Sequence, residues 1–138
     1  MKAFVLLFVV FTVATVCASE EEFAIWSSAE IATVEIPRVG RVSVSAKTDS
    51  GRISRLVIVA FDRTHNVVGD DLKRIADFPL SSMRLTHEAG YEILGGYTVH
   101  LKLRRSYYDS NKKLRDETAI VSVTEKNGLR KIDLTDTK

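Results

Sequence analysis

Residues 97–104 read Tyr97-Thr98-Val99-His100-Leu101-Lys102-Leu103-Arg104. Apolar and polar side chains alternate without a break. Successive side chains of a strand point to opposite faces, so the stretch predicts a half-buried strand. Tyr97, Val99, Leu101 and Leu103 face inward; Thr98, His100, Lys102 and Arg104 face outward. Downstream, Asp109-Ser-Asn-Lys112 predicts a hairpin turn and Thr118-Ala-Ile-Val-Ser-Val-Thr124 the return strand. Lys126-Asn-Gly128 marks a second hairpin, its Asn-Gly pair suiting a type I′ turn. Leu129 to Leu134 then predicts a last strand, followed by a frayed tail, Thr135 to Lys138.

Upstream the same period recurs. Arg41 to Lys47 puts Val42, Val44 and Ala46 on one face, and Ile31 to Ile36 does so for Ala32, Val34 and Ile36, before Pro37. Thr48-Asp-Ser-Gly51 is a turn in which Gly51 is free to take positive φ. Leu56-Val-Ile-Val-Ala-Phe61 is unbroken, as in a central strand covered on both faces. Asp62-Arg-Thr turns the chain back into His65 to Val68. Asp70 or Asp71 then caps a short helix, Leu72 to Asp77, which Pro79 stops. Ser82 to Ala89 predicts a strand with Met83, Leu85 and His87 on one face, and Gly90, Gly95 and Gly96 punctuate the next connection. Regularly spaced strands without sustained helix–strand alternation define an all-β class. The expectation is a mainly antiparallel sandwich or barrel of seven or eight strands, with one short helix near residues 71–77.

The N-terminus, MKAFVLLFVVFTVATVCASEEE, follows a different rule. Lys2 precedes an apolar run, and Val16-Cys17-Ala18 precedes the switch to Ser19-Glu20-Glu21-Glu22. This is the pattern of a secretory signal peptide over residues 1–18, cut after Ala18. The run is shorter than the ~20 residues that span a bilayer, so no membrane segment is expected after cleavage. A lipid anchor on Cys17 is disfavoured by the bulky Val16 before it. The remaining chain reads as an acidic disordered stub, residues 19–22, and a single β domain, residues 23–138. Of the +2 formal charge of the whole chain, loss of Lys2 leaves +1. The only Cys is lost as well, so no internal disulfide is expected in the secreted chain.

Few catalytic signatures are present. There is no Gly-x-Ser-x-Gly elbow, no Walker A loop and no Gly-x-Gly-x-x-Gly. His87-Glu88 lacks the second His of His-Glu-x-x-His, and Asp62, Asp70 and Asp71 lack the alternating ligands of a calcium loop. His65, His87 and His100 fall on three predicted strands, with His87 half-buried and His100 exposed. No metal, cofactor or catalytic residue is assigned, and Gly95-Gly96 reads as a tight turn. Trp26, beside Phe23 and Ile25, is either a stacking platform or, as favoured here, an anchor pinning the first strand to the core.

The densest functional feature is the segment from Lys102 to Arg115. It holds Lys102, Arg104, Arg105, Lys112, Lys113 and Arg115, with Tyr107 and Tyr108 between them and Asp109 as its one acid. On a hairpin these cations form a positive end, and the tyrosines supply stacking surfaces. Charged side chains also keep exposed strands from pairing edge to edge, which needs no ligand. The expectation is a small secreted or periplasmic β protein acting as a non-catalytic binding module. Its ligand would be an anionic envelope or extracellular molecule or an acidic protein. Nearly balanced charge and export argue against nucleic acid. Two alternatives belong to other classes. One is a secreted hydrolase using His87 or His100 with a carboxylate. The other is an envelope structural protein that associates by strand addition.

Overall fold

The computed structural model describes residues 26–88, 96–130 and 132–137. The expected signal peptide with its expected cleavage point, the expected acidic stub, Phe23, Ile25, Gly90 and Gly95 lie outside the described residues.

The first half folds as a meander. Strands β1 (Ser28–Ala32), β2 (Ser43–Asp49), β3 (Arg52–Ala60) and β4 (Arg63–Val67) pair in sequence order, all antiparallel. Two tight turns set the registers. Ser50 and Gly51 have φ of 52° and 78°, and Phe61 and Asp62 have φ of 55° and 58°. Two successive positive φ values match the right-handed twist of the flanking strands. The cost falls on Phe61, a bulky residue in the left-handed region, whose side chain packs against the core.

The second half forms another antiparallel sheet. Long strands β6 (Thr98–Tyr108) and β7 (Leu114–Thr124) pair along their whole length. β5 (Arg84–Glu88) flanks β6, and both β8 (Gly128–Leu129) and β9 (Asp133–Thr137) pair with β7. The protein is therefore mostly β, with two separate antiparallel sheets of four and five strands and one short helix. They do not close into a single barrel.

The connection between the sheets, residues 68–83, mixes charged and apolar residues. It carries α1 (Gly69–Ile75) and a 3₁₀ turn, Leu80–Ser82. Ile75, Phe78, Leu80 and Met83 from this segment are buried in one cluster. That cluster also holds Val44, Ala46, Leu56 and Ile58 of the first sheet and Val99, Leu101, Leu103, Ala119, Val121 and Val123 of the second. The Ile53 amide donates to the Ala76 carbonyl at 2.7 Å, which ties β3 to the end of α1. Among the described residues, no helix is long and apolar enough to cross a membrane.

Several local expectations are corrected. β1 starts three residues before Ile31, so its inward pair is Ala29 and Ile31, while Val34 is 83% exposed. The helix begins at Gly69, and neither Asp70 nor Asp71 caps it; both lie in its first turn, where the helix dipole favours acids. Thr135 and Asp136 are not a frayed tail: β9 pairs them with Thr118 and Glu117. The predicted last strand is split into β8 and β9, with Ile132 fully buried just before β9. At the second hairpin only Gly128 takes positive φ, so Asn127-Gly128 is not a type I′ turn. His87 is exposed and His100 half-buried, the reverse of the expectation.

Candidate functional site

The β6–β7 hairpin turns on Asp109. Its Oδ1 accepts the Asn111 and Lys113 amides at 2.9 and 3.0 Å, and its Oδ2 accepts Arg115 Nε at 2.9 Å. An Asx turn of this kind lets the side chain replace backbone turn bonds. These donors, led by the Lys113 amide and the Arg115 side chain, hold the Asp109 carboxyl below its ordinary 3.8. A depressed folded pKa stabilises the turn above the unfolded value, and that stabilisation is lost as pH falls through the folded pKa. Hydrogen-exchange protection at Asn111 and Lys113 is therefore expected to fall as pH drops below 3.8, with a smaller acid dependence in Asp109→Asn. Protection unchanged down to about pH 2 would contradict this.

Strand register then divides the basic residues between two faces. Arg105 pairs opposite Glu117 and Tyr107 opposite Arg115 on the face that continues the core. Lys102, Arg104, Ser106 and Tyr108 lie on the other face, opposite Ile120, Thr118, Asp116 and Leu114. Lys112 and Lys113 are exposed in the turn. Three of the six cations expected to form a positive end meet acids, Arg104 and Arg105 just outside the 102–115 window and Arg115 at Asp109 within it. Arg104 Nη2 lies 3.9 Å from Asp116 Oδ2, and Asp116 also accepts the Ser106 hydroxyl. Arg105 Nε and Nη2 each lie 2.6 Å from Glu117 Oε2.

Arg105 is held from every side. Its guanidinium is 4.7 Å from the centroid of the Phe78 ring and 5.0 Å from that of Tyr107. Asp77 Oδ2 lies 3.8 Å from its Nη1, and Asp77 Oδ1 accepts Arg52 Nε at 2.7 Å. Arg52 on β3, Asp77, Arg105 on β6 and Glu117 on β7 thus form an alternating chain of charges across the two sheets. Arg104 differs, with a side chain 66% exposed.

A cleft of about 1110 Å³ opens beside this chain. β6 forms one wall with Arg104 to Tyr107; Pro79 to Ser82 and Asp77 line it next; Trp26, Thr48 and Gly51 complete it. Trp26 is 47% exposed and lines this cleft, which corrects its expected role as a buried anchor. The physical reason is local. The Trp26 carbonyl accepts the Thr48 hydroxyl at 2.8 Å, so the backbone is fixed to β2 without burial of the ring. The cleft thus carries two exposed aromatics and an exposed cation. Sequence reading found Arg104, Arg105 and Tyr107 but not the Asp77–Ser82 wall, because only the fold brings it beside β6.

The histidines sit elsewhere. His100 Nδ1 lies 2.8 Å from Ser122 Oγ, and His100 Nε2 lies 3.5 Å from Glu88 Oε2. The residue types match a hydrolytic triad, but Ser122 is only 6% exposed, and the large cleft is not lined by any of the three. The His100–Ser122 contact is a cross-strand hydrogen bond between residues opposite each other on β6 and β7. Among the described residues, no group of three or more His, Cys, Asp or Glu is placed to hold a metal ion.

The fold and site define a two-sheet β protein with an aromatic and cationic cleft at one strand edge. Comparison with protein-family models, with curated proteins and with solved structures finds no match.

Proposed function

We propose that the two sheets pack face to face as a β-sandwich, and that the protein is an exported, non-catalytic module binding an anionic ligand. Export follows from the signal-like sequence ending at Ala18. The observation that carries the binding role is the convergence of Trp26, Tyr107 and Arg104 on one cleft. Aromatic faces supply contact area with few rotors to freeze, and an exposed guanidinium supplies attraction for negative charge. Lys102, Lys112 and Lys113 extend the positive field around the hairpin, Tyr108 adds an exposed ring, and Arg105 and Arg115 shape the field through their own ion pairs.

The test substitutes exposed cations only, since removing Arg105 strands the Glu117 carboxylate. Lys102→Glu, Arg104→Glu and Lys113→Glu together are expected to weaken retention on immobilised polygalacturonate or polyglutamate by about threefold to a hundredfold, each exposed contact being worth ~0.2–1 kcal/mol. Wild-type retention is expected to vanish as salt shortens the screening length from ~30 Å at 0.01 M to ~3 Å at 1 M. Retention unchanged by the triple substitution would overturn the role of this surface.

Of the hydrolase alternative's two histidines, His87 and His100, it is His100 that has a carboxylate beside it, Glu88 at 3.5 Å, with Ser122 at 2.8 Å on its other nitrogen. The alternative requires labelling of Ser122 by a serine-directed fluorophosphonate, which the burial of Ser122 opposes.

A further inference from the structure

The open edge of β6 adds a feature to this cleft. β5 covers only the first part of β6, from Glu88 opposite Thr98 to Arg84 opposite Lys102. Before Arg84 the chain leaves the sheet at Met83 and enters the 3₁₀ turn. Among the described residues, the β6 segment from Leu103 to Tyr108 therefore has no strand beside it on the β5 side, while β7 pairs its other side throughout.

The direction of the backbone groups follows from one hydrogen bond. The Arg104 amide donates to Ser82 Oγ at 2.9 Å, so it points toward the 3₁₀ turn and away from β7. In an antiparallel strand the N–H and C=O of alternate residues point to the same side. The N–H and C=O of Ser106 and Tyr108 thus point the same way as the Arg104 amide. The cleft runs along this edge, since Arg104, Arg105, Ser106 and Tyr107 all line it.

We infer that the cleft takes an extended polypeptide segment, with acidic residues alternating with apolar ones, that adds as a strand to the edge of β6 through the Arg104 carbonyl and the N–H and C=O groups of Ser106 and Tyr108, the Arg104 amide being held by Ser82. Main-chain bonds supply affinity in this mode, and alternate side chains supply specificity. On the outer face an acidic side chain meets the exposed Arg104, whose nearest carboxylate is 3.9 Å away. On the inner face an apolar side chain enters the cleft over Leu80, between Tyr107 and Trp26. A second copy of this chain, paired antiparallel along the open 103–108 stretch, would set Arg104 opposite Tyr108 and supply no carboxylate to it, since Lys102 is already covered by β5. The inference rests on the anionic-ligand reading and narrows it from polyanions in general to acidic peptide strands.

The experiment uses the full chain and a set of acetylated, amidated peptides alternating Glu with Val, Ile, Phe or Tyr. Binding is read by calorimetry, with polygalacturonate in parallel. N-methylation at one alternate set of peptide amides is expected to weaken binding more than tenfold. Methylation of the other set is expected to leave it within about twofold, because a strand directs only alternate N–H groups to its neighbour. Equal tolerance of both sets would overturn strand addition. So would polygalacturonate binding without any peptide binding, which leaves the anionic-ligand reading standing. Binding of neither overturns both. Self-association in sedimentation that disappears in Arg104→Glu would assign the edge to a second copy and overturn the acidic partner.

Discussion

Phe78→Ala is expected to cost about 3–5 kcal/mol of folding stability, the range for removing a fully buried aromatic ring. Phe78 is 1% exposed and sits in the segment connecting the two sheets, with its ring under the Arg105 guanidinium. Its loss opens a cavity in the core shared by both sheets and removes the cation–π partner of Arg105. Urea unfolding should show a lower midpoint with an unchanged slope, since the surface exposed on unfolding barely changes. Phe78→Leu keeps most of the volume and is expected to cost less than half as much. A cost below about 1 kcal/mol for the alanine variant, the level of an ordinary surface change, would mean that Phe78 does not hold the sheets together.

Glu117→Ala is expected to cost about 2–3 kcal/mol. Breaking a fully buried ion pair costs about 3–5 kcal/mol, because the remaining charge is left uncompensated. The side chain of Glu117 is 11% exposed and that of Arg105 27%, so solvent relieves part of the penalty. Asp77, 3.8 Å from Arg105, relieves a further part. The double replacement Arg105→Leu with Glu117→Leu is expected to recover most of the loss, as apolar pairs of similar volume often substitute for buried ion pairs without cost. A double variant as unstable as the single one would show that Arg105 stabilises through Phe78 and Tyr107 rather than through Glu117.

Both effects concern residues whose importance is invisible along the chain. Phe78 reads as one apolar residue before a proline. Asp77 stands in the sequence only as the end of a predicted helix, and Glu117 lies outside every motif. Period-two alternation made β6 and the inward set Val99, Leu101 and Leu103 legible, because a register of two leaves one choice of buried face. The turn at Ser50-Gly51 was legible for a similar reason, since Gly51 satisfies a conformational demand at low cost. Ile31 to Ile36 failed because alternation alone does not fix where pairing starts. Hydrogen bonds between Thr33 and Val42 close that connection and leave Val34 outside it. The candidate site was half legible. The cation-rich stretch was visible in the sequence, but its partial neutralisation by Asp116, Glu117 and Asp77 depends on strand pairing and on the connecting segment. Trp26 was misplaced because an aromatic near a terminus carries no sign of whether its strand buries it.

Trp26 also gives the most direct test of the binding account. It is the single tryptophan of the chain and it lines the cleft, so its fluorescence reports on that site alone. Titration of the protein with polyglutamate or polygalacturonate is predicted to give a saturable change in Trp26 emission, weakened by salt and by Arg104→Glu. Binding of either polyanion seen by calorimetry, with Trp26 emission unchanged, would contradict the account.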